Sequence, residues 1–235
     1  MGIFSDLRHT GSVIRYDTDL FPQMEPRLFD IAWLKQAGHH RGSATGRGEA
    51  HFLSFSGHEM VLRPFRRGGV IAKINRDRYL RTGLDRARSM RELMLLDWMR
   101  GQGLSVPRPI AAQMTPVGMF YRAAILTERL LGARPFEEIS RDGPLGPAIW
   151  GRVGASIRQM HEAGVDHSDL NCRNILIDAG EKAWLIDFDK CKRRGNGPWK
   201  ARNLERLKRS LHKENAWDAQ GWARLVDGYG GAPGT

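Results

Sequence analysis

The sequence predicts an α+β chain in two lobes, a small N-terminal lobe built on an antiparallel sheet and a larger, mostly helical C-terminal lobe. Three observations predict it. Strand-like stretches punctuated by glycine occupy residues 38–65, helical periodicity dominates from residue 145, and between them the apolar run Tyr121–Leu126 breaks into the polar crossing Thr127-Glu128-Arg129. The boundary is expected near residues 129–133, so that 1–130 holds an N-terminal extension and the small lobe and 131–235 the large lobe. With 41% hydrophobic side chains, 235 residues are enough for one substantial core or a two-lobed pair.

Taken in order, residues 1–35 carry scattered aromatics with Pro22 and Pro26 and predict only a short helix around Phe29–Gln36, packed on the first lobe. A glycine-rich stretch, Gly42-Ser43-Ala44-Thr45-Gly46-Arg47-Gly48, comes next. Ala50–Ser56 and Met60–Phe65 then read as strands joined by Ser56-Gly57-His58-Glu59. Glycines between strands let a backbone lie close over phosphates, which makes Gly46 and Gly48 candidates, although Gly-x-Gly is also common in plain turns. Arg63 is a candidate phosphate cation, and Lys73, in Gly68-Gly69-Val70-Ile71-Ala72-Lys73, is its rival.

A run of arginines including Arg66, Arg67, Arg76, Arg78, Arg81, Arg86 and Arg88 reads as a solvated basic face that also suits acidic groups. Arg88–Arg100 predicts a helix ended by Gly101 and Gly103. Glu92 shares a face with Leu95, Leu96 and Met99, so its carboxylate needs a cation, Arg63 or Lys73. Glu128 lies in the crossing, where exposed backbone can meet the edge of a nucleobase. Leu145–Glu162 then predicts a helix with Trp150, Val153, Ile157 and Met160 on one face, ending at Gly164.

That helix delivers the chain into the stretch that carries the chemistry. His167-Ser168-Asp169-Leu170 is followed by Asn174, five residues beyond Asp169, and by Asp187-Phe188-Asp189, which begins eighteen residues beyond it. Phosphoryl transfer needs a carboxylate to orient or deprotonate a hydroxyl and hard oxygen ligands to hold Mg²⁺ on nucleotide phosphates. Asp169, Asn174 and Asp187 are the residue types for those tasks, and a hairpin turning at Asp178-Ala-Gly-Glu would bring them together. The plain alternative makes them turn residues and a strand end. His167 is expected to brace the loop through backbone contacts.

Composition narrows the partners. Net charge is +11 and the pI near 10.2, a surface that attracts nucleic acid, anionic lipid or a phosphorylated glycolipid. The two cysteines, Cys172 and Cys191, make neither a disulfide framework nor a zinc site. Met1–Thr10 lacks the apolar segment of a secretion signal, and a cytoplasmic location is expected. Between Lys190 and Lys213 stand ten Lys or Arg residues and one acid, Glu205. Leu204, Leu207 and Leu211 form a helical stripe that suits docking on the large lobe, while the segment, with Arg206, Lys208, Arg209 and Lys213 elsewhere on the helix, also suits an anionic membrane or the acceptor's phosphates; the readings are compatible. The tail is expected to fray from Gly228.

The glycine-rich hairpin, Val61-Leu62-Arg63 with Arg66-Arg67-Gly68-Gly69, His167-Ser168-Asp169-Leu170-Asn171 through Asn174, Ile186-Asp187-Phe188-Asp189-Lys190 and the basic Trp199–Lys213 segment together resemble the bacterial lipopolysaccharide kinases over roughly residues 28–215. The resemblance implies a protein-kinase-like fold. It also implies transfer of the ATP γ-phosphate to the 4-hydroxyl of a 3-deoxy-D-manno-octulosonic acid (Kdo) residue on a lipid A precursor. Asp169 would be the catalytic base or the group that orients the hydroxyl, with Asn174 and Asp187 on Mg²⁺. Gly46, Gly48, Arg63, Lys73, Glu92 and Glu128 would bind or organise the nucleotide. The expected partners are the Kdo-bearing lipid and the cytoplasmic face of the inner membrane, bound peripherally, with no nucleic acid. Ser168 stands where protein-substrate kinases carry an arginine and no Ala-Pro-Glu follows, so control by activation-loop phosphorylation is not expected. A kinase for heptose or protein hydroxyls, and a non-catalytic module on anionic lipid or nucleic acid, are the competing readings.

Overall fold

Paired positive-φ turns set the strand pattern at the start of the structure, a computed structural model that describes residues 2–44, 50–65, 79–80 and 83–230. Strands β1 (Phe4–His9) and β2 (Ser12–Asp17) are joined by Thr10 and Gly11 at φ 43° and 78°. Two left-handed residues in a row give a turn whose twist matches that of the flanking strands. The sequence reading assigned no strands here; Thr-Gly between two short runs was the signal it passed over.

A 3₁₀ turn at Pro26–Phe29 leads into α1 (Ile31–Gln36), whose free N–H groups at Ala32 and Trp33 are taken by the Asp30 carboxylate at 2.9 and 3.2 Å. Next come β3 (His40–Ala44), β4 (Ala50–Phe55) and β5 (His58–Pro64). The β4–β5 turn is only Ser56-Gly57, again at positive φ, so His58 and Glu59 belong to the strand and not to the turn. After β6 (Tyr79–Leu80) and helix α2 (Arg88–Gly101), the long hairpin of β7 (Pro109–Val117) and β8 (Phe120–Glu128) completes the sheet.

Among the described residues this is one antiparallel sheet in the order β1-β2-β7-β8-β5-β4-β3, with β6 also on β8. A bulge between His40 and Gly42 interrupts the outer strand β3. Ile14, Leu53, Met60, Leu62, Ile110 and Leu126 form the core of one sheet face, and Phe21, Met24, Leu28 and Leu34 from the N-terminal segment close over it. The buried Asp17 carboxylate ties β2 to Arg108 at 2.7 Å.

The chain divides into two units. The first is Met1–Trp98 with Arg108–Arg129, the second Met99–Pro107 with Leu130–Thr235. In the second, β9 (Arg134–Pro135) precedes α3 (Phe136–Asp142) and α4 (Pro147–Glu162), on which Trp150, Val153, Ile157 and Met160 are all buried as their spacing predicts. Then come β10 (Val165–Asp166), β11 (Ile175–Ile177), β12 (Ala183–Leu185) and β13 (Lys192–Arg193). The unit ends with α5 (Trp199–Lys213) and α6 (Ala219–Tyr229).

Helices α4 and α6 cross at backbone contact. A methyl group at Gly154 would lie 2.0 Å from the Leu225 carbonyl oxygen, and one at Gly228 would lie 2.2 Å from that of Gly151. Only glycine permits such an approach. Gly228, where fraying was expected, is therefore packed, and the helix closes at Gly230 with φ 94°. No described helix is long and apolar enough to cross a membrane. The candidates Gly46, Gly48 and Lys73, and the arginines Arg66, Arg67, Arg76, Arg78 and Arg81, lie outside the described residues.

Candidate active site

In the second unit a three-strand hairpin ladder fixes the geometry. Strand β11 pairs antiparallel with β12, matching Ile175 to Leu185 and Ile177 to Ala183, and Ile186 N–H donates to the Asn174 carbonyl at 3.0 Å. Asn174 and Asp187 therefore emerge from the same end of the hairpin. The Asn174 amide donates from Nδ2 to the Asp169 carbonyl at 2.9 Å, which closes the loop and leaves its Oδ1 as the acceptor available to a cation. Asp187 sits at φ 62°, a left-handed conformation that costs a non-glycine residue about 1 kcal/mol or more and that concentrates at functional sites.

His167 braces this arrangement from inside. Fully buried, it donates from Nε2 to the Ile186 carbonyl at 3.0 Å and accepts at Nδ1 from the Asp169 N–H at 3.3 Å. One ring nitrogen must be bare to accept, and burial pushes the imidazole pKa down, so both observations describe a neutral ring. Asp169 carries its carboxylate outward, half exposed, with Arg206 Nη1 at 3.7 Å.

Several supporting residues were not singled out from the sequence, and two of them come from α5. Asn203 Oδ1 accepts the His167 N–H at 3.0 Å, its Nδ2 donates to Asp166 at 3.0 Å, and Ser210 Oγ accepts the Cys172 N–H at 3.0 Å. An amide beside a leucine stripe was the available clue: Asn203 is buried with Leu204, Leu207 and Leu211. Those leucines are spent on packing the second unit, which leaves only the charged side of α5 for any other surface. Arg173, next to Asn174, is clamped by Glu137 at 2.9 Å and Glu214 at 2.5 Å. Cys172 and Cys191 are buried free thiols, and burial pushes the Cys172 thiol up.

In the first unit Glu92 is nearly inaccessible, and Arg63 Nη2 reaches both of its carboxylate oxygens, Oε2 at 2.6 Å. The helix side that carries Glu92 also buries Met90, Leu93, Leu96 and Met99, a broader stripe than its sequence suggested, with Leu95 only half-buried. Glu128 ends β8, donating its N–H to the Arg108 carbonyl at 2.9 Å and accepting the Arg108 N–H on Oε2 at 3.2 Å.

Among the described residues no group of three or more His, Cys, Asp or Glu could hold a metal by itself. An amide oxygen and a carboxylate at one hairpin end are nonetheless the hard donors that Mg²⁺ takes when phosphate oxygens and water supply the rest, and Asn174 and Asp187 fit that set.

Comparison with known proteins adds an independent line. The model of the family described as "Lipopolysaccharide kinase (Kdo/WaaP) family" matches residues 31–229. A protein of Vibrio parahaemolyticus named 3-deoxy-D-manno-octulosonic acid kinase is 41% identical over 207 residues, covering 88% of this chain and 87% of the relative. Proteins of the same name from Photobacterium profundum and Xylella fastidiosa are 38% and 43% identical, over 92% and 87% of this chain and 94% and 82% of their own lengths.

Proposed function

This chain belongs to the lipopolysaccharide kinase (Kdo/WaaP) family, and on that footing we propose that it transfers the γ-phosphate of ATP to the 4-hydroxyl of Kdo on a lipid A precursor, in assembly of the lipopolysaccharide core. The observation that carries the reading is the delivery of Asn174 and Asp187 to one hairpin end with Asp169 hydrogen-bonded into the same loop.

In this reading Asp169 accepts or orients the proton of the attacking hydroxyl, and its half-exposed carboxylate is placed where a sugar can reach it. Asn174 and Asp187 would hold Mg²⁺, which when bound neutralises charge on the transferring phosphate. His167, neutral and donating to Ile186, holds the backbone on either side of Asp169 and Asp187 in register. Arg63, oriented by Glu92, offers a guanidinium to the nucleotide phosphates, and Gly46, Gly48 and Lys73 are assigned to the same nucleotide. Glu128 is assigned to the crossing that meets the base, where its own N–H is held by the Arg108 carbonyl and that of Arg129 by the Glu59 carbonyl. The excess of basic residues supports a peripheral position on the anionic cytoplasmic face of the inner membrane, where such an acceptor is presented.

The test is incubation with Mg²⁺, ATP and a Kdo-bearing lipid A precursor, followed by mass spectrometry of the lipid. One added phosphate, located on Kdo by fragmentation, is expected. An unmodified lipid beside a phosphorylated heptose acceptor would overturn the assignment.

A further inference from the structure

Beside Asp169, within the second unit, lies a groove of about 580 Å³ whose walls include Asp166, Ser168, Arg194, Arg202, Arg206 and Arg209. Its charge is unevenly committed. Arg194 pairs with Asp166 at 2.9 Å, and Asp166 also takes the Asn203 amide. Arg202, Arg206 and Arg209 fall at i, i+4 and i+7 on the exposed side of α5, opposite the leucines that anchor the helix. Arg206 alone of these three reaches the catalytic loop, with Nη1 3.7 Å from Asp169 Oδ1, a separation longer than a hydrogen bond. A guanidinium has five donors in a planar fork, so one held at that distance keeps donors for a second anion.

Resting on the proposed Kdo reaction, we infer that Arg206 is the specificity residue for an acidic sugar: it binds the acceptor's carboxylate while Asp169 takes the hydroxyl. The chemistry of the acceptor fits the geometry. In a 2-ulosonic acid the carboxyl group hangs from ring carbon 2, two carbons from the hydroxyl on carbon 4. The two groups are therefore presented on one small ring, as Asp169 and the Arg206 guanidinium stand side by side at 3.7 Å. Neutral core sugars offer that fork hydroxyl oxygens but no carboxylate. Arg202 and Arg209, further along the same helix side, extend the positive surface toward whatever phosphates the acceptor carries. Ser168 beside Asp169 is uncharged and Arg194 in the groove wall is paired with Asp166, so the cation that reaches Asp169 comes from α5.

The inference is tested by pairing a protein change with a chemical one. The wild-type protein, Arg206→Ala and Arg206→Lys are assayed for kcat and KM with a Kdo-bearing lipid A precursor and with its carboxyl methyl ester. The wild type is expected to prefer the acid by roughly 10- to 100-fold in kcat/KM, the range of a charge-assisted hydrogen bond. Arg206→Ala should lose that preference, chiefly through KM for the acid, with the ester affected much less. Arg206→Lys, which keeps the charge without the fork, should retain part of it. If the alanine variant slows acid and ester by the same factor, Arg206 acts only on Asp169 and the inference is wrong. A wild type indifferent to esterification refutes it equally. Phosphorylation of neither form by the wild type would instead refute the proposed reaction itself.

Discussion

At the scale of single residues the site depends on two groups with opposite demands. Asp169 must be ionised and reachable, and it is half exposed beside a guanidinium. With Asp169 as the proposed base, replacement by Asn keeps the size and removes the carboxylate; turnover should fall by about 10²- to 10⁴-fold while ATP affinity, measured by calorimetry, changes little. His161 must stay neutral. Buried on α4 between the Tyr229 hydroxyl at 2.9 Å and Asn203 Oδ1 at 3.3 Å, it has its pKa lowered by burial from 6.5 to about 4, and His167 is pushed the same way. Because the folded pKa lies below the unfolded one, the unfolded chain binds more protons between these values. Stability is then complete above about pH 6.5 and falls as pH drops toward 4, by roughly 1.4 kcal/mol per unit for His161 within that window. Urea unfolding at a series of pH values checks the slope. That Asp169, Asn174 and Asp187 come together was legible in the sequence, because one loop and one hairpin hold all three. The basic side of α5, Arg206 included, was legible as a surface for the acceptor's phosphates, but that Arg206 stands against Asp169 and Asn203 against His167 was not, because both contacts depend on how a later helix docks.

At the scale of elements, periodicity carried the information where one face of an element is buried and failed where packing is by backbone. Helix α4 could be read from Trp150, Val153, Ile157 and Met160, whereas α6 could not, since its contact surface includes Gly221 and Gly228, residues of low helix propensity. The same contact predicts a sharp penalty. Gly154→Ala would put a methyl group 2.0 Å from the Leu225 carbonyl oxygen, so the helices must part. A loss of about 1–3 kcal/mol is expected despite alanine's better helix propensity, measurable by chemical denaturation; an unchanged or raised midpoint would show that α6 moves freely. Hairpin β1–β2 was missed for a different reason: β1 is a mostly polar edge strand, and β2, though buried against β7, is only six residues long and mixes Arg15 and Asp17 with its apolar side chains.

At the scale of the whole molecule, the sequence's charge of +11 is the largest property visible before any folding. Its expected consequence is salt-sensitive attachment to anionic bilayers. Changing Lys208, Arg209 and Lys213 on α5 to Glu should weaken sedimentation with phosphatidylserine vesicles at least tenfold near 0.05 M salt, with the difference shrinking as ionic strength rises. Equal binding by the variant would move the membrane contact away from this helix. The great sheet of the first unit raises a separate matter. Its outer strands are β1, which carries Asp6 and Arg8, and β3, which carries Arg41 within a bulge. Charged side chains and an interrupted ladder make both strands poor templates for a neighbour's backbone. So long an antiparallel sheet is thereby guarded at its described borders against edge-to-edge pairing with a neighbouring molecule.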